Sequence, residues 1–105
     1  MESTSEIFDV EITETAWEQM VDHARFLANV SHDAANRLVD EFINKTGTLN
    51  QMPERCPWLK NDAIPEKKYR KLLLGKYHLA IFVIRGNKVY VTAVVDCRQD
   101  YSWLL

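Results

Sequence analysis

The chain has 105 residues, of which 47% are hydrophobic and 27% charged, and its formal net charge is -2. This length indicates one domain over residues 1–105, and the composition is typical of a soluble globular protein. No apolar run approaches the roughly 20 residues that span a bilayer, and the acidic start "MESTSEIFDV" lacks the basic and apolar regions of a signal peptide. We therefore expect a cytoplasmic protein in which Cys56 and Cys97 are reduced thiols.

Charge is divided unevenly between the two halves of the chain. Residues 1–52 carry ten acids and three bases, whereas residues 53–105 carry five acids and ten bases. Six of the bases fall between positions 60 and 76, namely Lys60, Lys67, Lys68, Arg70, Lys71 and Lys76. This asymmetry predicts an anionic partner for the basic half, either nucleic acid or an acidic protein segment. The alternative is an ordinary solvated strand face.

Hydrophobic periodicity in the first half predicts a strand followed by two helices. Phe8, Val10 and Ile12 alternate along "IFDVEIT", a pattern typical of a short strand with one buried face. Apolar residues then recur at three- and four-residue steps over 16–27 and again over 35–49, which predicts two amphipathic helices.

Polar residues mark where these helices begin. Thr13 or Thr15 can cap the first helix, and Ser31 can cap the second after the interruption "NVSHDAAN". The second helix must end before Pro53. Two helices with such a short joint predict an antiparallel hairpin.

The second half predicts an irregular connection and three strands. Residues 53–66 contain three prolines and a lone Trp58, which we expect to cover the edge of the core. "KKYRKLLL", "YHLAIFVI" and "KVYVTAVVDC" then read as strands joined by turns at Gly75-Lys76 and Gly86-Asn87. Tyr90 and Thr92 should face away from the core. The predicted fold class is α+β, with an N-terminal strand, a long helical hairpin and a three-stranded antiparallel meander (β-α-α-β-β-β).

The residues that could carry chemistry are cations and rings on the sheet. The chain has no glycine-rich phosphate loop, no local signature of a nucleophilic triad and no metal-ligand spacing, so we expect neither a cofactor nor a metal. If the strands meet as predicted, four residues converge near one edge: Arg70, His78, Arg98 and Tyr101. Guanidinium groups bind phosphate, and a histidine or tyrosine can move a proton. Alternatively, the two arginines pair with acids such as Asp96 or Asp100 and hold the sheet together.

The order of elements resembles the RelE/ParE toxins of bacterial type II toxin–antitoxin pairs. The likeness is carried by "FLANVSHDAANRLVDEFINKTGTLNQMPE" and "YRKLLLGKYHLAIFVI…VYVTAVVDCRQDY", and it covers about residues 7 to 101. It implies a compact toxin that stops growth, in which a helical hairpin packs on a mainly antiparallel sheet. It also implies a cognate antitoxin that wraps a helix or strand, often acidic, around the toxin, which suits the charge split.

The family has two mechanisms. RelE-like members cut messenger RNA on the ribosome, and for that activity the resemblance implies the catalytic set Arg70, His78, Arg98 and Tyr101. ParE-like members poison DNA gyrase and are not known to cut RNA. The long hairpin and the net acidity favour the ParE-like branch. The third alternative is an inactive module that retains only antitoxin binding.

The resemblance also assigns two binding surfaces. The contact with the target, or with RNA, would use Lys67, Lys68, Arg70, Lys71 and Lys76. The hydrophobic tail "SWLL" would either pack on the sheet or lie under the antitoxin, and in the second case Trp103 and Leu104 would contact the antitoxin. Tyr101 stands closer to Arg98 than the catalytic tyrosine of RelE stands to its arginine.

Overall fold

The computed structural model describes residues 6–60, 62 and 64–98, and its elements follow the predicted order. They are strand β1 (Asp9–Ile12), helices α1 (Glu14–Ala28) and α2 (His32–Gly47), and strands β2 (Arg70–Leu74), β3 (His78–Arg85) and β4 (Lys88–Asp96). Two 3-10 turns, Thr48–Asn50 and Pro53–Arg55, follow α2. The predicted α+β class is therefore confirmed, including the helical hairpin and the antiparallel meander.

The four strands form one sheet in the order β1-β4-β3-β2. The meander is antiparallel, whereas β1 lies parallel to β4, with Val10 opposite Val89. A bulge interrupts the β3–β4 ladder, because Ile81 pairs with Ala93 while Phe82 pairs with Val91. Thr92 is the extra residue, and such an insertion bends and twists the strand that contains it.

Each helix begins where a hydroxyl group satisfies a free backbone N–H. The Oγ1 of Thr13 accepts from the N–H of Ala16 at 3.1 Å, and the Oγ of Ser31 accepts from the N–H of Ala34 at 3.1 Å. Thr13 is thus the first cap, and Thr15 lies inside α1. Replacing such a cap by alanine typically costs about 1 kcal/mol.

The hairpin packs on one face of the sheet and forms the main core there. Phe42 of α2 and Phe82 of β3 are fully buried in this cluster, with Leu74, Val89 and Val91 from the strands. Leu49 is also fully buried, although it lies in the 3-10 turn after α2 and not in the helix. The predicted apolar stripe therefore continues past the helix end.

The opposite face of the sheet carries a second buried cluster, which the sequence did not predict. A segment that we call the strap (residues 57–60, 62 and 64–66) crosses this face. Its Leu59 and Ile64 cover the sheet residues Leu79, Ile81, Ala93 and Val95. Trp58, which we expected to cover the core edge, is half-buried and bridges to Arg70 on the edge strand β2, while Leu59 and Ile64 fill the buried cluster.

The first strand of the meander is shorter than predicted. Lys67 has φ +57, a left-handed conformation that a strand does not accommodate, so β2 starts at Arg70. Leu74 pairs with His78, so the β2–β3 loop has three residues and begins with Gly75 at φ +60. The two-residue turn predicted at Gly75-Lys76 is therefore wrong, because Tyr77 also belongs to the loop. The turn predicted at Gly86-Asn87 is present and has two residues, since Arg85 pairs with Lys88.

Within the described residues, neither helix is long and apolar enough to cross a membrane.

Candidate functional site

One end of the sheet gathers a histidine pair, an acid and an arginine. His78 starts β3 and pairs with Asp96 at the end of β4. The ring of His78 lies 4.9 Å from that of His23 on α1, in an edge-to-face arrangement. We call His23, Tyr77, His78, Asp96 and Arg98 the Arg98 cluster. It forms because β3 begins where β4 ends, and α1 crosses the same end.

Asp96 holds Arg98 in place, although 56% of the Arg98 side chain stays exposed. Its backbone N–H and its Nε donate to Oδ1 of Asp96 at 2.9 and 3.0 Å, and its Nη2 donates to Oδ2 at 2.7 Å. The guanidinium also lies 4.0 Å from the centroid of the Tyr77 ring. Hydrogen bonds from Arg98 lower the pKa of Asp96 to about 2, against the effect of burial. The alternative that Arg98 pairs with an acid is the arrangement that the structure has.

His78 is buried. Only 8% of its surface is exposed, because α1 covers it. Burial, and then the charge of the neighbouring His23, lower the pKa of His78, while Asp96 acts in the opposite direction. A general acid or base needs to reach the reacting group within hydrogen-bond distance. With α1 in this position, His78 does not offer that access.

Two side chains of α1 hold the helix against the end of β4. β1 pairs with β4 only as far as Val91, so the free edge of β4 continues beyond it. There the N–H of Val94 donates to Oε1 of Gln19 at 2.9 Å, and Nε2 of His23 lies 3.1 Å from the carbonyl oxygen of Val94. These contacts satisfy backbone groups on the part of the β4 edge that β1 does not reach. They also place His23 against His78.

Arg70 lies away from the Arg98 cluster, so the predicted convergence is wrong for this residue. In the antiparallel β2–β3 pair, Leu74 stands beside His78 while Arg70 stands beside Phe82. These positions are four residue steps apart along β3, which corresponds to about 13 Å. The sequence correctly placed His78 and Arg98 at the same end of the sheet. It did not show that the last residue of β2, Leu74, lies at that end, whereas the first residue, Arg70, lies away from it.

Arg70 instead fastens the strap to the sheet. Its guanidinium lies 3.8 Å from the centroid of the Trp58 ring. Its Nη1 donates to the carbonyl oxygens of Glu54 and Cys56 at 3.1 and 2.7 Å. Arginine stacks well on aromatic rings and keeps its donors in a fixed plane, so this position uses both properties.

The predicted target-binding lysines do not share one surface. Lys67 and Lys68 lie beside Arg70, where these three cations line a cavity of about 260 Å³. Lys76 lies in the β2–β3 loop near the Arg98 cluster, with its carbonyl oxygen 4.0 Å from the Sγ of Cys97. Lys71 lies on β2 between the two regions. Their role in binding a target remains a prediction, as do the roles of Tyr101, Trp103 and Leu104, which lie outside the described residues.

Sequence reasoning missed Gln19 and His23. The sequence analysis singled out neither residue, although a signal was present. Gln19 follows the buried Ala16 by three positions, and His23 follows the buried Met20 by three, so both border the apolar stripe of α1. A polar residue at the border of a buried stripe often has a specific partner.

The family assignment comes from comparison with known proteins. A model for the ParE toxin of the type II toxin–antitoxin system parDE matches residues 10–101. The chain belongs to the ParE toxin family. Among solved structures, the chromosomal ParDE toxin–antitoxin system from P. aeruginosa contains a chain with the same fold. The TM-score is 0.66 at 14% identity, covering 88% of this chain and 98% of that chain. No curated protein sequence matches.

In this ParE-family chain, the Arg98 cluster has the residue types of an acid–base centre but not their usual accessibility. The histidine is covered by α1, and the arginine donates to Asp96. Across residues 6–60, 62 and 64–98, no three metal-binding side chains come together as a metal site. The cluster therefore suits a structural role that holds α1, β3 and β4 in register.

Proposed function

We propose that this chain is the toxin of a type II toxin–antitoxin pair and stops growth by binding DNA gyrase. The observation that carries this proposal is the state of the Arg98 cluster. A ribonuclease would need His78 or a comparable group to reach the RNA, whereas His78 is 8% exposed and packs against His23. A toxin that acts by binding needs no such group.

Exposed apolar side chains on the hairpin support a binding function. Phe26 near the end of α1 is 71% exposed, and Val30 in the joint between the helices is 83% exposed. Trp17, Val21 and Ile43 are further exposed apolar residues of the hairpin. Apolar side chains that stay in contact with water often mark a surface that another protein covers.

A supercoiling assay tests the gyrase target directly. Purified protein is added to gyrase, ATP and relaxed plasmid, and the products are separated by electrophoresis. We expect loss of supercoiling as the protein concentration rises. Normal supercoiling at a large molar excess of correctly folded protein would remove gyrase as the target.

A matched variant separates binding from RNA cleavage. His78→Gln removes the imidazole but keeps a polar side chain of similar size. If the toxin acts by binding gyrase, induced expression of this variant should still arrest growth, and mapped messenger RNA should be intact. Loss of arrest in a folded His78→Gln protein, together with RNA cleavage by the wild type, would instead favour the ribonuclease branch. Absence of any growth defect for the wild type would favour an inactive module.

The proposed partner is a cognate antitoxin with an acidic segment. The support is the charge division, with ten bases and five acids in residues 53–105. Co-expression with the short reading frame beside this gene should restore growth and yield a stable complex. Formation of that complex should weaken as salt is raised, because exposed charge pairs are screened. A neighbouring protein that neither binds nor protects would contradict this part of the proposal.

A further inference from the structure

The second half of α1 has few buried apolar side chains. The buried residues of this helix, Ala16 and Met20, both lie in its first half. In the second half, Leu27 is partly buried against the main core, whereas Phe26 is 71% exposed. A segment with so few buried apolar contacts separates from the rest of a fold at a lower free energy than the core does.

His23 supplies a polar attachment for this part of α1. Its Nε2 lies 3.1 Å from the carbonyl oxygen of Val94, and a carbonyl oxygen only accepts, so Nε2 carries a hydrogen. This nitrogen donates whether the ring is neutral or charged. His23 is half-buried, so protons from solvent reach it while α1 stays in place. A proton on His23 alone therefore leaves the attachment intact.

A second proton, on His78, is the one that this arrangement disfavours. The two rings are 4.9 Å apart, and His78 is 8% exposed. The charged groups that face His78 are His23 from α1, and Asp96 and Arg98 from the end of β4. Asp96 already balances the charge of Arg98 through three hydrogen bonds. With both rings protonated, this end of the sheet would carry two uncompensated positive charges, one of them buried, and separation of α1 from β4 relieves that cost.

We propose that the contact between His23 and His78 is a pH-sensitive switch, which holds α1 on the end of β4 at neutral pH and releases it locally when both rings are protonated. Release breaks the contacts of Gln19 and His23 with Val94 and exposes the edge of β4 to water, while the rest of the fold persists. Acid unfolding of the whole molecule would affect all regions together, whereas this switch opens one end first. The inference goes beyond the proposed function, since it needs no target protein.

Amide hydrogen exchange followed by NMR at pH 7.5 and pH 5.5 tests the switch on the whole protein, after correction for the direct effect of pH on exchange. The N–H of Val94 reports release, because its acceptor is Gln19. The N–H of Leu59 in the strap, which donates to Tyr69 at 2.7 Å, is the internal control. One proton taken up only in the open form, at the ordinary histidine pKa of about 6.5, raises the opening equilibrium about tenfold over this interval. We expect protection at Val94 to fall by up to about tenfold and protection at Leu59 to stay constant.

Two variants act on opposite sides of the ring contact, so the test stands if one of them does not fold. His78→Phe keeps an aromatic ring and should abolish the loss of protection at Val94. His23→Gln keeps a side-chain N–H and should reduce the loss, because His78 is still buried. His32→Gln, at an exposed position at the start of α2, is the matched control and should show the wild-type loss.

Each protein is compared with itself at the two pH values, so any change in basal stability cancels. A loss of wild-type size in His78→Phe or in His23→Gln would overturn the proposal. So would equal losses at Val94 and Leu59 in the wild type, because they would mean that the whole molecule opens. The supercoiling assay is a separate readout, so either proposal can fail without the other.

Discussion

Asp96 is almost fully buried, yet its carboxylate stays ionised because Arg98 donates three hydrogen bonds to it. The pKa of Asp96 falls from 3.8 to about 2 as a result. A carboxyl group whose pKa is lower in the folded state than in the unfolded state stabilises the folded protein at any pH above the unfolded-state pKa. This contribution to stability disappears as the pH falls through the folded-state pKa. The relevant window for Asp96 is therefore about pH 4 down to pH 2.

Asp96→Asn should abolish this contribution. At pH 7 we expect the variant to be less stable than the wild type by about 1–2 kcal/mol, a figure reduced from the full linkage value because Arg98 is partly exposed to solvent. The difference should shrink as the pH approaches 2, where the wild type has lost the same interaction. Urea unfolding at several pH values measures this. Asp40→Asn on the exposed side of α2 is the control and should follow the wild type throughout. A pH-independent difference for Asp96→Asn would refute the linkage.

His78 should make the protein sensitive to mild acid for a different reason. Burial and His23 lower the pKa of His78, whereas the unfolded chain takes up a proton at the ordinary value of 6.5. The unfolded state therefore binds more protons as the pH drops below 6.5, and stability decreases until the folded state is protonated as well. The groups that face the ring are His23, Asp96 and Arg98, and of these Asp96 alone favours the charged form.

The variant His78→Phe should lose part of this acid sensitivity. Each protein is compared with itself at pH 7.5 and pH 5.5, so that the packing cost of the phenyl ring cancels. We expect a smaller drop in Tm for His78→Phe than for the wild type. His32→Gln, which changes an exposed histidine at the start of α2, should show the full drop. An equal drop in all three proteins would show that His78 does not carry the effect.

At the scale of elements, polar side chains fasten each helix to one end of the sheet. α1 holds β4 through Gln19 and His23, as described above. α2 holds the β2–β3 loop, where Oε2 of Glu41 accepts from the N–H of Gly75 at 2.7 Å and pairs with Lys45 at 2.9 Å. The Nζ of Lys45 also donates to the carbonyl oxygen of Leu73 at 3.0 Å. The hydrogen bond from Gly75, and then that from Lys45, lower the pKa of Glu41.

Gln19→Ala should show how much the fastening of α1 contributes. The N–H of Val94 is buried, so removal of its acceptor leaves an unsatisfied donor that costs about 1–3 kcal/mol. We expect that loss in chemical denaturation, with faster hydrogen exchange at the Val94 amide. The neighbouring Glu18→Ala on the exposed side of α1 is the matched control and should change stability by less than about 0.5 kcal/mol. If the two variants are equally stable, water takes the place of the amide oxygen.

At the scale of the whole molecule, the sheet is covered on both faces, but by different kinds of structure. The hairpin covers one face with regular helices, and the strap covers half of the other with Leu59 and Ile64. The strap is held at its start by backbone hydrogen bonds, from Leu59 N–H to Tyr69 at 2.7 Å and from Lys71 N–H to Pro57 at 3.0 Å. Arg70 and Trp58 add the stacked contact.

Leu59→Ala should therefore destabilise the molecule strongly, although it lies in a segment without regular secondary structure. Leu59 is 2% exposed, and truncation of a buried leucine typically costs 2–5 kcal/mol. Equilibrium unfolding in urea measures the loss. Leu73→Ala makes the same chemical change at a residue that is 51% exposed, and we expect less than about 0.5 kcal/mol there. Similar losses for the two variants would mean that the strap does not protect the second cluster.

The sequence by itself determined the elements, their order and the family. The alternation of Phe8, Val10 and Ile12, the helical stripes and the glycine turns are local patterns, because side-chain spacing follows directly from backbone geometry. The quoted hairpin and meander segments carried the resemblance for the same reason. The cap at Ser31 needed only residues within three positions, and it was predicted correctly.

Only the tertiary structure decided which distant side chains meet. The register of β2 against β3 moved Arg70 away from His78, and the pairing of β1 with β4 left an edge that Gln19 and His23 complete. The strap packs on the second face of the sheet. Residues 53–66 have no hydrophobic periodicity that would have predicted this packing. Register and docking depend on packing between segments far apart in the chain, so each contact is fixed by the fold as a whole and not by the residues beside it.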